Sequence, residues 1–417
     1  MILDTSRATF LLGAGASVGA GLPTSVELTR KMAELVDETG FDKETSRAIH
    51  AAIGAMIAHD TALGESAFSG INIERLFSAV EMLADRENQE LAPFVSTWSP
   101  ATSFVGGEAQ FPSTWERSMV AAISDVAQRK TASGGRRLKE AFAAGVKSAQ
   151  RYEHGAEVFA RLRDFMIEHL HDLLSISVDQ IDYLTPLLQV ERPLRIATLN
   201  YDTSIEDLAW RSGTSLSTGI GDWEPGKPWA WDDSEIYLLK LHGSLTWAWE
   251  AVQDQPLPEL AIRQIERQSD GSWSFPNRWS HGPGLIFGQR GKVRADGPFI
   301  PMLRAFDEFL SESDVLVVIG YSFRDDHINT AISNWYNRTS GRFVLVDPNL
   351  PENGVRWTAD FQQQLIDELH EQFLEQTGPD TQRSAWRLKT GHMVLRKGAD
   401  EALAELLPPA STQELPT

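Results

Sequence analysis

The sequence contains no cysteine. Disulfides, thiol catalysis and every cysteine-ligated zinc or iron–sulfur centre are excluded at once. Basic side chains are scarce beside acidic ones: 38 Lys and Arg stand against 58 Asp and Glu, for a formal charge of −20. Such a chain is poorly suited to coat DNA or RNA, which takes a positive surface to release counterions, although a local basic patch remains compatible. Long apolar runs are missing as well. The run from Ala8 to Ala16 is broken by glycines and falls short of the roughly 18 residues that a spanning helix needs. It also lacks the basic start and cleavage pattern of a secretion signal, so the expectation is a soluble, cytoplasmic protein without membrane contact. What is present is 417 residues, 42% hydrophobic and 23% charged. That is ordinary globular usage, enough for two to three domains or for one large α/β domain with insertions.

The chain opens on a short apolar strand, Thr9 to Leu12, that runs into Gly13-Ala14-Gly15-Ala16-Ser17. Glycines recur at Gly19 and Gly21, and Thr24 with Glu27 forms a capping-box pair before a helix with Leu28, Met32, Leu35 and Val36 on one face. Strand, glycine turn and helix together make a nucleotide-binding opening. From 41 to 189 the texture is helical, with apolar spacings of three and four over 44–58, 72–87, 116–128, 136–150 and 156–175. An irregular stretch, Pro93 to Pro112, lies between them. Strands return at Leu194–Asn200, Ile236–Leu241, Gly284–Phe287, Asp314–Ile319 and Arg342–Val346, with helices at 203–211, 299–312 and 326–336. The chain then reads as helical beyond 358, with a last strand at Met393–Leu395 and a helix at 399–407. Several of these strands end in polar residues, as in an open parallel sheet that binds ligands beyond its carboxyl ends.

Four segments carry possible chemistry, and each has a plainer reading. Gly13 to Ser17 could bring backbone N–H groups to a pyrophosphate, or could be a tight turn; it departs from the G-x-G-x-x-G spacing. Asn200 and Asp202 in Thr198-Leu199-Asn200-Tyr201-Asp202 could hold a ribose hydroxyl, a carboxamide or a water. The same residues could form an Asx turn capping the next helix. His242, at a strand end in Leu241-His242-Gly243-Ser244, could serve as base or ribose ligand, or could simply bond a neighbouring backbone group. In Ile319 to His327 the strand breaks at Gly320, so that Ser322 and the loop amides can face a ligand. The Asp325-Asp326-His327 cluster suggests a metal weakly and a helix start more simply.

In this order and spacing the segments GAGASVGAGLP (13–23), TLNYD (198–202), KLHGSL (240–245), VVIGYSFRDDHIN (317–329) and VLVDP (344–348) resemble the sirtuin superfamily. The resemblance is strongest to its SIR2-like NAD-hydrolysing branch found in bacterial antiphage defence. It implies a Rossmann-like α/β domain with a mostly parallel sheet, built from 1–40 and 190–417, and a helical subdomain inserted at 41–189. By the same resemblance Gly13, Ala14, Gly15 and Ser17 would border the pyrophosphate and nicotinamide ribose of NAD+. Asn200 would hold the water and ribose hydroxyls, Asp202 the nicotinamide carboxamide, and His242 the ribose hydroxyls as base or orienting group. Gly320 and Ser322 would line the phosphate–ribose path, and Asp347 would bind the adenosine ribose. Glu27 and Arg30 are weaker candidates that read as helix surface.

The implied activity is NAD+ glycohydrolysis at the nicotinamide–ribose bond, with NAD+ as substrate and no metal, in an effector that depletes NAD+ on infection. A non-hydrolysing nucleotide sensor is the alternative. A protein deacylase is disfavoured, because deacylating sirtuins carry a four-cysteine zinc module and because Thr24-Ser25-Val26-Glu27 stands where they place Asp-Phe-Arg. The resemblance further implies control by a partner such as a HerA-like ATPase or a short Argonaute, or by homo-oligomerisation. Direct nucleic-acid contact is not expected; the basic runs Arg129-Lys130 with Arg136-Arg137-Lys139, and Arg290-Lys292-Arg294, read as solvated faces, and the second could equally flank the cofactor phosphates. The tryptophan-rich segments 93–116 and 223–249 are candidate contact surfaces, or else core and pocket wall.

Overall fold

The computed structural model describes, apart from short breaks, residues 7–39, 42–64, 70–86, 156–175, 178–275 and 297–348, with 283–285, 385–387 and 392–407. The expected helices at 116–128 and 136–150, the stretch 93–112, both basic runs and most of the helical texture expected beyond 358 lie outside the described residues.

The chain divides into two compact units, Met1–Thr24 with Leu174–Thr417, and Ser25–Leu173. The division falls earlier at both ends than the expected boundaries at 40 and 190. The reason at the first is the helix α1, Ser25–Thr39, which packs against α2 (Lys43–Ala62) and α3 (Ile73–Ala84). These three and α4 (156–174) make up the described helical unit. Asp42 caps α2, Asn72 caps α3, and Arg75 clasps Asp60 through both carboxylate oxygens at 2.5 and 2.6 Å. That clasp holds the Asp60 carboxyl below its ordinary range.

Among the described residues the larger unit has eleven strands: β1 (Ala8–Leu12), β2 (Leu194–Thr198), β3 (Leu216–Ser217), β4 (Ile236–Lys240), β5 (Gly243–Ala251), β6 (Leu260–Gln264), β7 (Pro283–Leu285), β8 (Val315–Ile319), β9 (Arg342–Val346), β10 (Ala385–Arg387) and β11 (Met393–Leu395). Eight of them form one sheet in the order β10-β11-β9-β8-β1-β2-β4-β3. All its pairs are parallel except β10 with β11. The fold is therefore α/β with a mostly parallel sheet, as the sequence implies.

The apolar runs explain this placement. A strand buried on both faces cannot alternate apolar with polar, and β1 and β8 are buried throughout. Alternate residues serve opposite faces. Leu11, Ala197, Leu239, Leu316, Val318 and Phe343 face α6 (Phe299–Ser311) and α7 (Asp326–Arg338). Phe10, Ile196, Leu238, Val317 and Val344 face α5 (Ser204–Ser212), α8 (Ala399–Leu406) and the 3-10 segment Val178–Gln189.

One strand expectation needs correction. Residues 283–285 do not enter the parallel sheet; they pair antiparallel with β5 in a separate three-stranded sheet, β6-β5-β7. Its buried Trp247 and Trp249, together with Trp223, belong to the core on the α6–α7 side. The tryptophans of 223–249 are thus mainly core, with Trp229 and Trp231 half-buried against it. Among the described residues no helix is long and apolar enough to cross a membrane.

Candidate functional site

The register of the central strands fixes one edge of the sheet. Leu12 lies opposite both Thr198 and Ile319, Thr198 opposite Lys240, and Ile319 opposite Val346. Five parallel strands therefore end level, and the loops beyond them carry Gly13–Ser17, Asn200–Asp202, His242, Gly320–Ser322 and Asp347. The chain crosses from β1 to β2 on one side, while β8 lies on the other. That reversal opens the crevice in which open α/β sheets take ligands.

The glycines after β1 lie against the loop that follows β8. A Cβ on Gly13 would sit 2.5 Å from the Gly320 carbonyl oxygen, and one on Gly15 would sit 2.7 Å from the Gly320 Cα. Gly15 N–H donates to that carbonyl at 3.0 Å. Gly13, Gly15 and Gly320 thus let two loop backbones touch, while Ala14 is half-buried and Val18 and Gly19 are exposed in the 3-10 segment Ala14–Ala20. Gly320 also adopts φ +62°, a left-handed conformation that disfavours a side chain. Its Cβ would lie 2.4 Å from the Ala16 nitrogen. Gly320→Ala is expected to cost about 3 kcal/mol through the two effects together, read as a lowered urea midpoint. An unchanged midpoint would show that the two loops can part freely.

Asn200 is half-buried, and its Nδ2 donates to the Gly13 carbonyl at 2.9 Å and to Ser17 Oγ at 3.0 Å. Ser17 Oγ in turn donates to Asp202 Oδ2 at 2.8 Å. The other oxygen of Asp202 accepts from Ser204 N at 3.0 Å and from the Ser204 hydroxyl. Asp202 is buried, and these bonds turn its carboxylate towards Ser17 and Ser204. The Asx-turn reading of this segment is met, and the same carboxylate also bonds Ser17. Tyr183, whose hydroxyl donates to the Ala16 carbonyl at 2.7 Å, has its phenol pushed up by burial and then by the Asp202 charge.

Two further groups make contacts that the sequence does not announce. Lys240, the last residue of β4, is fully buried and donates to Glu206 Oε1 at 2.9 Å and to the Asp202 carbonyl. Burial pushes the Glu206 carboxyl up, and the Lys240 charge partly offsets this. Asp325 lies 2.7 Å from His242 Nε2 through Oδ2, with both side chains buried. Its Oδ1 caps α7 on the N–H groups of His327 and Ile328. The helix-start reading of Asp325 is thereby met, and the same carboxylate orients His242. Nearby, Phe323 holds φ +53° with its carbonyl accepting from Asn329 Nδ2 at 2.7 Å, a strained position of the kind found beside ligand loops.

The other candidates are spread along the same edge. Ser322 is exposed in the loop after β8. Asp347 is half-buried, two strands from β1, and its N–H bonds to the Leu395 carbonyl. Glu27 and Arg30 lie on α1 in the helical unit. Among the described residues no group of three His, Asp or Glu side chains is placed to hold a metal ion.

Level strand ends, a reversal in strand order and a glycine loop make the kind of crevice in which open α/β sheets take ligands. Residues 194–373 match the family model of the SIR2-like domain. This is a family that binds NAD+. The matched span begins at β2; β1 and the glycine loop precede it and reach the site by pairing between β2 and β8. No curated protein matches the chain.

Proposed function

We propose that the chain is an NAD+ glycohydrolase. One observation carries the reading: Asn200 with Ser17, and His242 with Asp325, stand on adjacent loops beyond level strand ends of a SIR2-like domain. The chemistry asks for little more. The bond between nicotinamide nitrogen and ribose C1′ breaks, neutral nicotinamide leaves with the bonding pair, and an oxocarbenium-like centre remains. A water adds at C1′ and gives up one proton, leaving ADP-ribose. The protein must orient the ribose, hold the water and exclude other nucleophiles. Asn200 and His242 are suited to the first two tasks, with Ala14 and Ser17 beside the pyrophosphate and ribose. Ser322 and Asp347 extend the path towards the adenosine end, where an acidic strand end favours a free 2′-hydroxyl.

The whole chain lacks cysteine, so a four-cysteine zinc module of the deacylating kind cannot form. That supports hydrolysis of NAD+ itself over acyl-lysine removal. Such an activity harms the cell that carries it, which fits a cytoplasmic defence effector held in check by homo-oligomerisation or by a partner such as a HerA-like ATPase or a short Argonaute. The test is nicotinamide release from NAD+ by the purified chain, alone and with the product of its neighbouring gene. Turnover is expected, and Asn200→Ala should lower it by about 10²-fold or more. Full turnover by that variant would sink the site assignment, and binding of NAD+ without release under every condition would favour a sensor.

A further inference from the structure

We propose that Ser17, Asp202 and Lys240 are positioning residues that lock the Asn200 amide in one orientation. Both amide protons then point into the protein, and Oδ1 is left to accept a hydrogen bond from the ligand. The chemistry of the acceptors settles the orientation. A backbone carbonyl can only accept, so the Asn200 atom 2.9 Å from the Gly13 oxygen has to be the NH2 nitrogen. Flipping the amide would set two acceptors against each other. Ser17 has one proton, and the carboxylate 2.8 Å away accepts it. Its oxygen is thereby free to take the second Asn200 proton at 3.0 Å. Every hydrogen in this chain has one place to go.

The anchor lies one layer deeper. The Lys240 ammonium, fully buried and paired with Glu206, donates to the main-chain carbonyl of Asp202 and so holds the backbone on which Asn200 and Asp202 stand. Burying a charged pair is costly. Placed directly beneath this loop, the pair fixes where the Asn200 side chain begins while Ser17 fixes how it is turned. Charge on Asp202 is passed through the Ser17 hydroxyl to the Asn200 NH2, which raises the electron density on Oδ1.

The orientation restricts the ligand group. Asn200 can receive only an O–H or N–H donor. Within the NAD+ reading, on which this step rests, that group is a ribose hydroxyl or the attacking water; the carboxamide oxygen and the phosphates, being acceptors, are excluded.

Two readouts test the proposal, and the first does not depend on turnover. In the full chain labelled with 15N-asparagine, the Asn200 side-chain signal (assigned by its loss in Asn200→Asp) is expected to show two proton resonances exchanging slowly with solvent. Ser17→Ala should remove the protection of one. Freely exchanging protons in the unaltered protein, or a pattern indifferent to Ser17→Ala, would overturn the orientation. The second readout is steady-state NAD+ hydrolysis. Ser17→Ala and Asp202→Asn are expected to lower kcat by about 10²-fold with little change in KM. Ser17→Thr, which keeps the hydroxyl, should recover most of the loss. Asn200→Asp, nearly isosteric but without the two protons, should be as poor as Asn200→Ala. Unchanged kcat in Ser17→Ala and Asp202→Asn would also overturn the proposal. Protected amide protons in a chain that hydrolyses no NAD+ would uphold the orientation and count against the hydrolase reading alone.

Discussion

Lys240→Met is expected to lower the stability of the larger unit by about 3–5 kcal/mol, the usual cost of leaving one member of a buried ion pair alone. Methionine fills the space of the lysine stem but cannot compensate Glu206, which has only 4% of its side chain exposed. It also strips the Asp202 carbonyl of its donor. Burial already pushes the Glu206 carboxyl up with Lys240 in place. In the variant the folded state holds its proton more tightly than the unfolded chain. The penalty is therefore full above the raised folded value and fades as the pH falls towards the ordinary glutamate range of about 4.3. Denaturant midpoints across that range would show the variant approaching the parent on acidification. The double variant Lys240→Met/Glu206→Leu should regain most of the stability, since neither charge is then buried. Equal midpoints for the parent and the single variant would mean that water reaches the pair.

Asp325→Asn is expected to lower NAD+ turnover by about 10²- to 10⁴-fold while leaving the fold intact. Asp325 can only accept, so a neutral His242 carries its proton on Nε2 and offers the lone pair of Nδ1. An asparagine whose Oδ1 still caps α7 at the 3.1 Å contact with His327 N turns its NH2 towards His242. The ring must then accept at Nε2 and move its proton to Nδ1, which converts the offered acceptor into a donor. Asp325→Ala serves as the comparison, because it also loses the helix cap, worth about 1 kcal/mol. Thermal midpoints should separate the two variants, whereas kcat should fall in both. A fully active Asp325→Asn would show that the tautomer of His242 does not matter.

What could be read in advance was local. The strand–glycine–helix opening, the strands ending at Thr198, Lys240 and Ile319, and the helices after Thr203 and Asp325 follow from runs of a few residues, and they stand where expected. The loops that carry the candidate residues follow those strand ends and could be placed for the same reason. Partnership across the sheet was not. Gly284 and Leu285 look like any buried strand, and nothing in three apolar residues says which sheet they join. Lys240 precedes His242 in a motif whose histidine draws attention, and a lysine at a strand end ordinarily reaches water; only the pairing of β4 with β2 brings Glu206 beneath it. The glycines of the first loop were correctly read as a close approach of backbone. One body they approach is Gly320, some three hundred residues onward, which no local run could reveal.

The position of β1 in the sheet also governs how the molecule comes into being. Of the described strands, β1 comes first along the chain and is a central one, and its neighbours are β2 and β8, which begin at Leu194 and Val315. During synthesis one edge of Ala8–Leu12 stays open until Leu194–Thr198 is made, and the other until Val315–Ile319 is made. Contacts so distant in sequence make for slow closure and leave a sticky segment open to other chains. The larger unit can therefore acquire its β1–β8 pairing only late in synthesis, and the crevice with it.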